Sequence, residues 1–258
     1  MQQPEFTTLS LTLADQIAEV RLNRPDKSNA INEARWQELR QAFAWIDATP
    51  EARVVILSGA GKNFCAGADL KGFAGEATRN RLSPEGDGPM GPTRLLLSKP
   101  VIAAVAGYCV AGGLELACWC DLRVAEQSAT VGVFCRRFGV PLIDGGTVRL
   151  PRLIGMGHAM DLILTGRKVE AAEALQMGLC NRVVPRGEGL AAALALAQQL
   201  ADFPQATMRA DRMSALRQWD LPLAEALHQE WERGRACLDD ALQGATRFAA
   251  GAGRHGRF

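Results

Sequence analysis

The chain has 258 residues, of which 48% are hydrophobic and 22% are charged, and its formal net charge is +1. This length and balance are typical of one globular α/β domain, or of such a domain with a helical extension. The near-zero charge argues against a nucleic-acid-binding protein, which needs a basic excess on one face. No run of about 18 apolar residues indicates a membrane span.

The cysteine pattern argues against a disulfide framework and against a zinc ribbon or a thioredoxin-like site. The number is odd, the spacings do not repeat, and no C-x-x-C pair occurs. Residues 1–10 lack a basic region followed by an apolar run, so we expect no signal peptide. Free thiols are typical of a reducing compartment, and we therefore expect a cytoplasmic protein.

The first third of the chain carries strand and helix signals of an α/β fold. Residues 6–13 and 17–22 alternate apolar and polar side chains, which predicts a hairpin. Asn32 is placed to cap a helix that runs to about residue 48, with apolar side chains on one face. Residues 53–58 (RVVILS) form a continuous apolar run, which predicts a buried strand.

The middle of the chain alternates glycine-rich loops with further short elements. Residues 75–92 are rich in glycine and proline and predict a mobile surface loop that lines a ligand pocket. Residues 101–106 (VIAAVA) predict a second buried strand, followed by a helix at 114–119. Four more elements follow from the same patterns: strands at 122–125 and 130–134, and helices at 156–165 and 171–177.

The last quarter of the chain has a helical pattern throughout. It runs from residue 189 to 248 and is interrupted at Pro204 and Pro222, each of which fits the first turn of a new helix. We therefore predict an α/β core at residues 1–190 and a C-terminal helical region at residues 191–258. A helical region of this kind often packs on a neighbouring subunit.

Two junctions carry small residues between a buried strand and the start of a helix. The first is FCAGADL at residues 64–70, and the second is AGGLELA at residues 111–117. Glycine lets the backbone approach a ligand closely, and a helix start offers free N–H groups. Either junction alone could be a tight turn, but together they can supply two N–H donors to one oxygen, which is an oxyanion hole.

These segments occur in one order with several others that together resemble the crotonase superfamily, the enoyl-CoA hydratase/isomerase family. The resemblance covers about residues 6–250 of the chain. The segments that carry it are NRP at 23–25, NAIN at 29–32, FCAGADL at 64–70, residues 101–115, CD at 120–121, GGT at 145–147, LTG at 164–166 and residues 171–183.

The resemblance implies a fold, an assembly and a substrate. The fold is a spiral of ββα turns that ends in a helical trimerisation region, and the assembly is a homotrimer or a dimer of trimers. The substrate is an acyl-CoA thioester, whose oxygen the backbone N–H groups of Ala68 and Gly112 would hold. The family needs no metal, and no cofactor other than the coenzyme A of the substrate.

The same resemblance implies which residues build the coenzyme A site. On the matching positions of this sequence they are Lys27, Ala30, Ala66, Asp69 and Leu70. Asp69 can also cap a helix that starts at Leu70.

The carboxylates of the family pattern are only partly present. Glu115 occupies the first position, on the first turn of a helix, where it could transfer a proton; the alternative is a glutamate stabilised by the helix dipole. Cys135 occupies the second position, where hydratases of the family have a glutamate. Arg136 and Arg137 beside it could lower the pKa of the thiol or pair with a phosphate. Asp144 could replace the missing acid, or it could simply cap the helix after residue 146.

We therefore expect an enoyl-CoA hydratase or enoyl-CoA isomerase. A single carboxylate can shuttle one proton, so isomerisation fits these residues at least as well as hydration. The alternatives are a homologue that binds acyl-CoA without turnover, another reaction of the superfamily such as decarboxylation or dehalogenation, and an RNA-binding member, against which the near-zero charge argues.

Overall fold

The computed structural model describes residues 2–73 and 82–253. It divides into two compact units, the first ending at Gln198 and the second beginning at Gln199. The first unit is a mixed α/β core and the second is helical, so the predicted fold class is confirmed. In the part of the chain that the structure describes, no helix combines the length and the apolar character needed to cross a membrane.

The strands are short and belong to two sheets. They are β1 (Leu9–Ala14), β2 (Ile17–Leu22), β3 (Val54–Gly59), β4 (Val101–Val105), β5 (Tyr108–Val110), β6 (Leu122–Glu126), β7 (Thr130–Gly132), β8 (Val169–Glu170) and β9 (Arg182–Val184). The larger sheet has the order β1-β2-β3-β4-β6-β9, with β1 antiparallel to β2 and the other neighbours parallel. The smaller sheet has the order β5-β7-β8.

The helices alternate with the strands as far as β9, and the elements from residue 189 to residue 249 are all helical. They are α1 (Glu33–Ala48), α2 (Leu70–Phe73), α3 (Gly112–Trp119), α4 (Gly146–Thr165), α5 (Ala171–Gln176), α6 (Gly189–Asp202), α7 (Gln205–Arg217), α8 (Leu223–Arg235) and α9 (Leu238–Ala249). Pro204 and Pro222 immediately precede α7 and α8, where the absence of an N–H costs no helical hydrogen bond.

The core contains the buried face of α1 together with apolar side chains of the larger sheet. Strand β3 is buried along nearly its whole length, as its continuous apolar run predicts. Phe43 of α1 is fully buried and packs edge-on against Trp119 of α3, with ring centroids 4.9 Å apart. Full burial of one such aromatic side chain contributes about 1.5–3 kcal/mol. This packing ties α3, which carries Glu115, to α1.

The N-terminal predictions are confirmed. Strands β1 and β2 form the expected hairpin, with Asp15 and Gln16 at positive φ in its turn. Helix α1 begins after Asn32, whose side chain accepts a hydrogen bond from the Arg35 amide at 3.3 Å. This is the N-cap that the sequence predicts.

Two local predictions are wrong, and a third is only partly confirmed. The strand expected at 130–134 ends at Gly132 and continues as a 3-10 turn at Phe134–Phe138. The helix expected at 156–165 is only the second half of α4, which begins at Gly146 and breaks at Gly155, where φ is 75°. Residues 75–81 of the expected surface loop at 75–92 lie outside the described residues. Residues 82–87 are exposed or half-buried, whereas residues 88–92 are buried, and Pro89 and Met90 among them line a pocket.

Candidate active site

The first glycine junction leaves one N–H pointing away from its neighbouring strand. Ile31 pairs with Ala68 in a parallel bridge, in which the Ile31 amide donates to Gly67 O at 2.8 Å and the Asp69 amide donates to Ile31 O at 2.9 Å. In a parallel bridge of this kind the middle residue directs its own N–H to the opposite side. The Ala68 N–H therefore points away from Ile31, and it donates to no described residue.

The second glycine junction begins a helix and leaves another free N–H. Gly112 is the first residue of α3, and the first N–H groups of a helix have no partner within it. Ala111, which precedes it, has a φ of 54°, a conformation that is uncommon for a residue with a side chain. The Ala111 amide donates to Gly132 O at 2.9 Å, and this bond fixes the turn.

The two junctions are in direct contact at Gly67. Its φ is 93°, and a methyl group added there would lie 2.8 Å from the Gly112 nitrogen and 3.0 Å from the Ala111 Cβ. Only a glycine permits this approach, both for its backbone conformation and for lack of space. Ala68 and Gly112 are therefore on adjacent segments, and both residues line the same pocket.

Glu115 is held by two main-chain amides of a distant loop. It lies on the first turn of α3 with 3% of its surface exposed. Its Oε1 accepts hydrogen bonds from the Asp144 N–H and the Gly146 N–H, both at 2.9 Å. A methyl group on Gly146 would lie 2.9 Å from the Glu115 Cγ, so the glycine is needed for this contact.

Asp144 is held in the same manner, through one oxygen only. Its Oδ1 accepts from the Met90 N–H at 2.9 Å and from the Thr93 hydroxyl at 2.5 Å, and the side chain is 4% exposed. The other oxygens, Oε2 of Glu115 and Oδ2 of Asp144, accept no hydrogen bond from the described residues. Both residues line the pocket, so each carboxylate has one fixed oxygen and one available oxygen.

Burial makes both carboxylates easier to protonate. Desolvation and the neighbouring charge of Asp144 raise the pKa of Glu115 to about 7, although the two amides and Arg149 oppose the shift. Desolvation also raises the pKa of Asp144, against the hydrogen bonds from Thr93 and Met90 and the charges of Arg94 and Arg149. A carboxyl group with a pKa near 7 can both give and take a proton at neutral pH.

The pocket itself is mostly apolar and encloses about 120 Å³, room for several water molecules. Its lining residues are Ala66, Ala68, Leu70, Leu82, Pro89, Met90, Ala111, Gly112, Glu115, Phe134, Cys135, Phe138, Val140, Pro141, Ile143 and Asp144. The residues that carry the two amides, the two carboxylates and the thiol, namely Ala68, Gly112, Glu115, Asp144 and Cys135, therefore line one cavity. Leu82, Pro89 and Met90 come from the loop that the sequence predicts to line it.

The thiol of Cys135 is not activated. Burial and the charge of Glu115 raise its pKa, even though Arg136 opposes the shift. Arg136 donates to Ile163 O at 3.1 Å and Arg137 donates to Gly166 O at 2.8 Å. Arg136 therefore lowers the pKa of the thiol, as the sequence suggests, but burial and the charge of Glu115 outweigh its effect.

The five residues predicted to build a coenzyme A site are only partly brought together. Ala66 and Leu70 line the pocket. Ala30 and Asp69 are joined by Arg24, which donates to Ala30 O at 3.3 Å and to Asp69 Oδ2 at 3.2 Å. Asp69 also caps α2, accepting from the Gly72 amide at 3.3 Å, as the sequence predicts. Lys27 is exposed on the surface, with its Nζ 4.0 Å from Asp26.

Three residues that support the site escape the sequence analysis: Met90, Thr93 and Arg149. Met90 and Thr93 hold Asp144, and Arg149 donates to Asp144 O at 2.9 Å and to Thr93 O at 2.6 Å. The one available signal is the position of Arg149, four residues after Gly145 at the start of a helix. Among the described residues, no group of three or more histidine, cysteine or acidic side chains is arranged to hold a metal ion.

Comparison with known proteins gives a consistent result. Residues 12–249 match the family model described as enoyl-CoA hydratase/isomerase. The enoyl-CoA hydratase EchA19 of Mycobacterium tuberculosis is 37% identical over 239 residues, which cover 89% of each chain. The mevalonyl-coenzyme A hydratase sidH of Aspergillus fumigatus is 35% identical over 218 residues, covering 81% of this chain and 80% of that one.

Comparison with solved structures indicates the same family. The crystal structure of the enoyl-CoA hydratase EchA1 from Mycobacterium marinum superposes with a TM-score of 0.88 at 33% identity, covering 94% of this chain and 96% of that one. With the family model matched over most of the chain, the resemblance found in the sequence is confirmed. This protein belongs to the enoyl-CoA hydratase/isomerase family of the crotonase superfamily and is an enoyl-CoA hydratase-like enzyme.

Proposed function

We propose that this enzyme hydrates the α,β double bond of an enoyl-CoA thioester. The N–H groups of Ala68 and Gly112 bind the thioester oxygen, and Glu115 and Asp144 transfer the protons. The observation that carries this proposal is that two buried carboxylates, each with one oxygen available, face the same apolar pocket as the two amide junctions.

The proposed chemistry uses each group once. One carboxylate takes a proton from water as the water oxygen bonds to the β-carbon, and the electron pair of the double bond moves toward the thioester carbonyl. The oxygen becomes an enolate, which the two amides stabilise; one such donor is typically worth about 3 kcal/mol of transition-state stabilisation. The other carboxyl group then gives its proton to the α-carbon, so the pair must begin with one proton between them.

Double-bond isomerisation is the second candidate, and Cys135 favours it. The thiol occupies the position of the second glutamate, and its raised pKa keeps it neutral at neutral pH. Moving a double bond requires only that one proton leave one carbon and return to another, which Glu115 could do alone. Turnover of a 3-enoyl-CoA without hydration of crotonyl-CoA would favour this reaction.

The substrate would enter with its coenzyme A portion near Ala66 and Leu70, and the reaction would use no other cofactor. Lys27, Ala30 and Asp69 lie on neighbouring segments, and we propose that they complete the coenzyme A site at the pocket entrance. Binding of coenzyme A measured by calorimetry should weaken in Lys27→Ala if the lysine meets a phosphate. Unchanged affinity would remove Lys27 from the site.

We also propose a homotrimer or a dimer of trimers. Large apolar side chains on the C-terminal helices are exposed in the single chain, among them Leu223, Trp231, Leu242 and Phe248, with 75%, 60%, 67% and 68% of their surface accessible. Analytical ultracentrifugation should give a mass of three or six chains, and a monomer would contradict the proposal. A cytoplasmic location is supported by the seven cysteines, all of which are unpaired and within the described residues.

The decisive experiment compares Glu115→Gln and Asp144→Asn with the unmodified enzyme, using crotonyl-CoA and the loss of its conjugated thioester absorbance. We expect kcat to fall by about 100-fold to 10,000-fold in each variant, the usual contribution of a positioned acid or base. Glu170→Gln is the matched control, because Glu170 is exposed and is not among the residues that line the pocket. Unchanged turnover in Glu115→Gln would refute the mechanism, and coenzyme A binding without turnover of any thioester would make the protein a binder.

A further inference from the structure

Arg149 connects the two loops that hold the carboxylates. It lies on the first turn of α4, and its guanidinium donates through Nη1 to Asp144 O at 2.9 Å and through Nη2 to Thr93 O at 2.6 Å. The planar fork of arginine can reach two fixed acceptors at once, which a lysine ammonium does less well. One side chain thus fixes two segments of main chain, the one that carries Asp144 and the one that carries its hydrogen-bond donor Thr93.

The two carbonyls that Arg149 binds belong to residues that are already in contact. The Thr93 hydroxyl donates to Asp144 Oδ1, so Arg149 closes a ring of three residues through side chain and main chain. The same Asp144 residue donates its N–H to Glu115 Oε1. A shift of the Asp144 main chain would therefore move the aspartate and release the glutamate together.

Gly145 makes the arginine contact possible. Its φ is 90°, and a methyl group added there would collide with the Nη1 of Arg149. The glycine thus serves two purposes, the turn into α4 and the close approach of the guanidinium. Neither purpose involves the substrate directly.

The charge of Arg149 also acts on both carboxylates. It opposes the rise in the pKa of Glu115 and of Asp144 that burial causes. The ionisable groups that face Glu115 or Asp144 besides Arg149 are Cys118, Cys135 and Arg94, with the two carboxylates facing each other. Arg94 acts on Asp144 from the turn at residues 92–94, whereas Arg149 acts on both members of the pair.

We propose that Arg149 is the positioning residue of the carboxylate pair. By binding the carbonyls of Asp144 and Thr93, it sets the place of Asp144 relative to Glu115 and holds both available oxygens toward the substrate. This inference rests on the proposed function of the pair in proton transfer. It assigns Arg149 no contact with substrate.

The test compares Arg149→Met with Arg149→Lys in kinetics over a range of pH. Both variants lose the two-carbonyl contact, so we expect kcat to fall about 10-fold to 100-fold in each, with KM changed by less than about threefold, as displacement of a catalytic group predicts. Lysine keeps the positive charge, so the pH profile of kcat/KM should stay in place in Arg149→Lys. In Arg149→Met the alkaline limb should move to higher pH, because the lost cation had stabilised the ionised carboxylates.

A merely structural arginine would give a different result. Folding of each variant is checked by circular dichroism and thermal melting. If folded Arg149→Lys has the kcat of the wild type, the proposal is overturned. This result decides the question even if Arg149→Met does not fold. A loss of activity that matches the loss of folded protein, with an unmoved pH profile in Arg149→Met, would overturn it as well. Glu115→Gln separates the two ideas: activity in that variant refutes the proposed function, whereas an inactive Glu115→Gln beside fully active Arg149 variants refutes only the role of Arg149.

Discussion

Glu115 and Asp144 are coupled in two ways: the Asp144 amide donates a hydrogen bond to Glu115 Oε1 at 2.9 Å, and the charge of the Asp144 side chain raises the pKa of Glu115. The first contact lowers that pKa and the second raises it, while burial raises it most. The two carboxyl groups therefore titrate as a pair, and a change at either residue is visible at the other.

The pH profile of the enzyme follows from this coupling. Hydration requires one proton on the pair, and the last proton is lost as the pH rises through about 7, the pKa of Glu115. We therefore expect kcat/KM for crotonyl-CoA to fall on the alkaline side of that pH. A profile that is flat from slightly acidic to alkaline conditions would show that no group of the pair limits the reaction.

Replacing Asp144 by asparagine should lower the pKa of Glu115. The negative charge that disfavours ionisation of Glu115 is removed, while the Asp144 main-chain N–H remains as a donor. Carbon-13 NMR titration of the glutamate carboxyl carbon measures this directly and does not depend on residual activity. Arg149→Met should shift the same resonance toward higher pH, so shifts in the same direction in both variants would contradict this account of the charges.

The stability of the fold should also depend on Glu115. Its pKa is raised above the ordinary value of 4.5 to about 7, so its contribution to the free energy of unfolding is fully present below about pH 4.5 and is lost as the pH rises to about 7. Glu115→Gln cannot ionise and avoids this loss. Relative to the wild type, the variant should gain up to about 3 kcal/mol in free energy of unfolding between about pH 4.5 and pH 8, at 1.36 kcal/mol per unit of pKa.

Urea unfolding at the two ends of this pH range gives the measurement. Glu170→Gln is the control for the exchange of a glutamate for a glutamine at an exposed position, because the Glu170 side chain is 72% exposed. If the free energies of unfolding of Glu115→Gln and the wild type differ by the same amount at both pH values, the pKa of Glu115 is not raised. The alkaline limb of the kcat/KM profile would then need another origin.

The sequence predicts the parts of this site that follow a strand or begin a helix. The glycine junctions at Gly67 and Gly112 and the position of Glu115 on α3 can be inferred because local patterns determine them. Thr93 and Arg149 cannot, because their function depends on which loops lie side by side in the folded chain. The interrupted helix α4 is missed in the same way, since Gly155 and Pro151 weaken its local signal while packing retains it.

Substitution by alanine should have different effects at the two junction glycines, Gly67 and Gly112. In Gly67→Ala the new methyl group meets the backbone nitrogen of Gly112 at 2.8 Å, and the positive φ adds strain, so the two junctions must separate. In Gly112→Ala the methyl group meets the Met90 Sδ at 2.8 Å, and a methionine side chain can move.

We therefore expect the larger loss of kcat in Gly67→Ala, by about 100-fold or more, the cost of displacing one oxyanion donor. Gly112→Ala should act chiefly through KM, because Met90 is pushed into the pocket. Kinetics with crotonyl-CoA and thermal melting of both variants decide the matter. Equal losses of kcat in the two variants would mean that the contact between the junctions does not position the amides.

Cys135→Ala tests whether the thiol takes part in the reaction. The pKa of Cys135 is raised by burial and by Glu115, so the thiol is neutral at neutral pH and is a poor nucleophile and base. We expect kcat to stay within about threefold of the wild type and the free energy of unfolding to fall by about 1 kcal/mol, the usual effect of a small cavity.

Removing a neutral neighbour should also leave the alkaline limb of the pH profile in place, whereas removing a thiolate would move it to lower pH, because a negative neighbour raises the pKa of Glu115. A loss of kcat beyond about 100-fold in folded Cys135→Ala would make the thiol a member of the catalytic set, and the two-carboxylate mechanism would have to be revised.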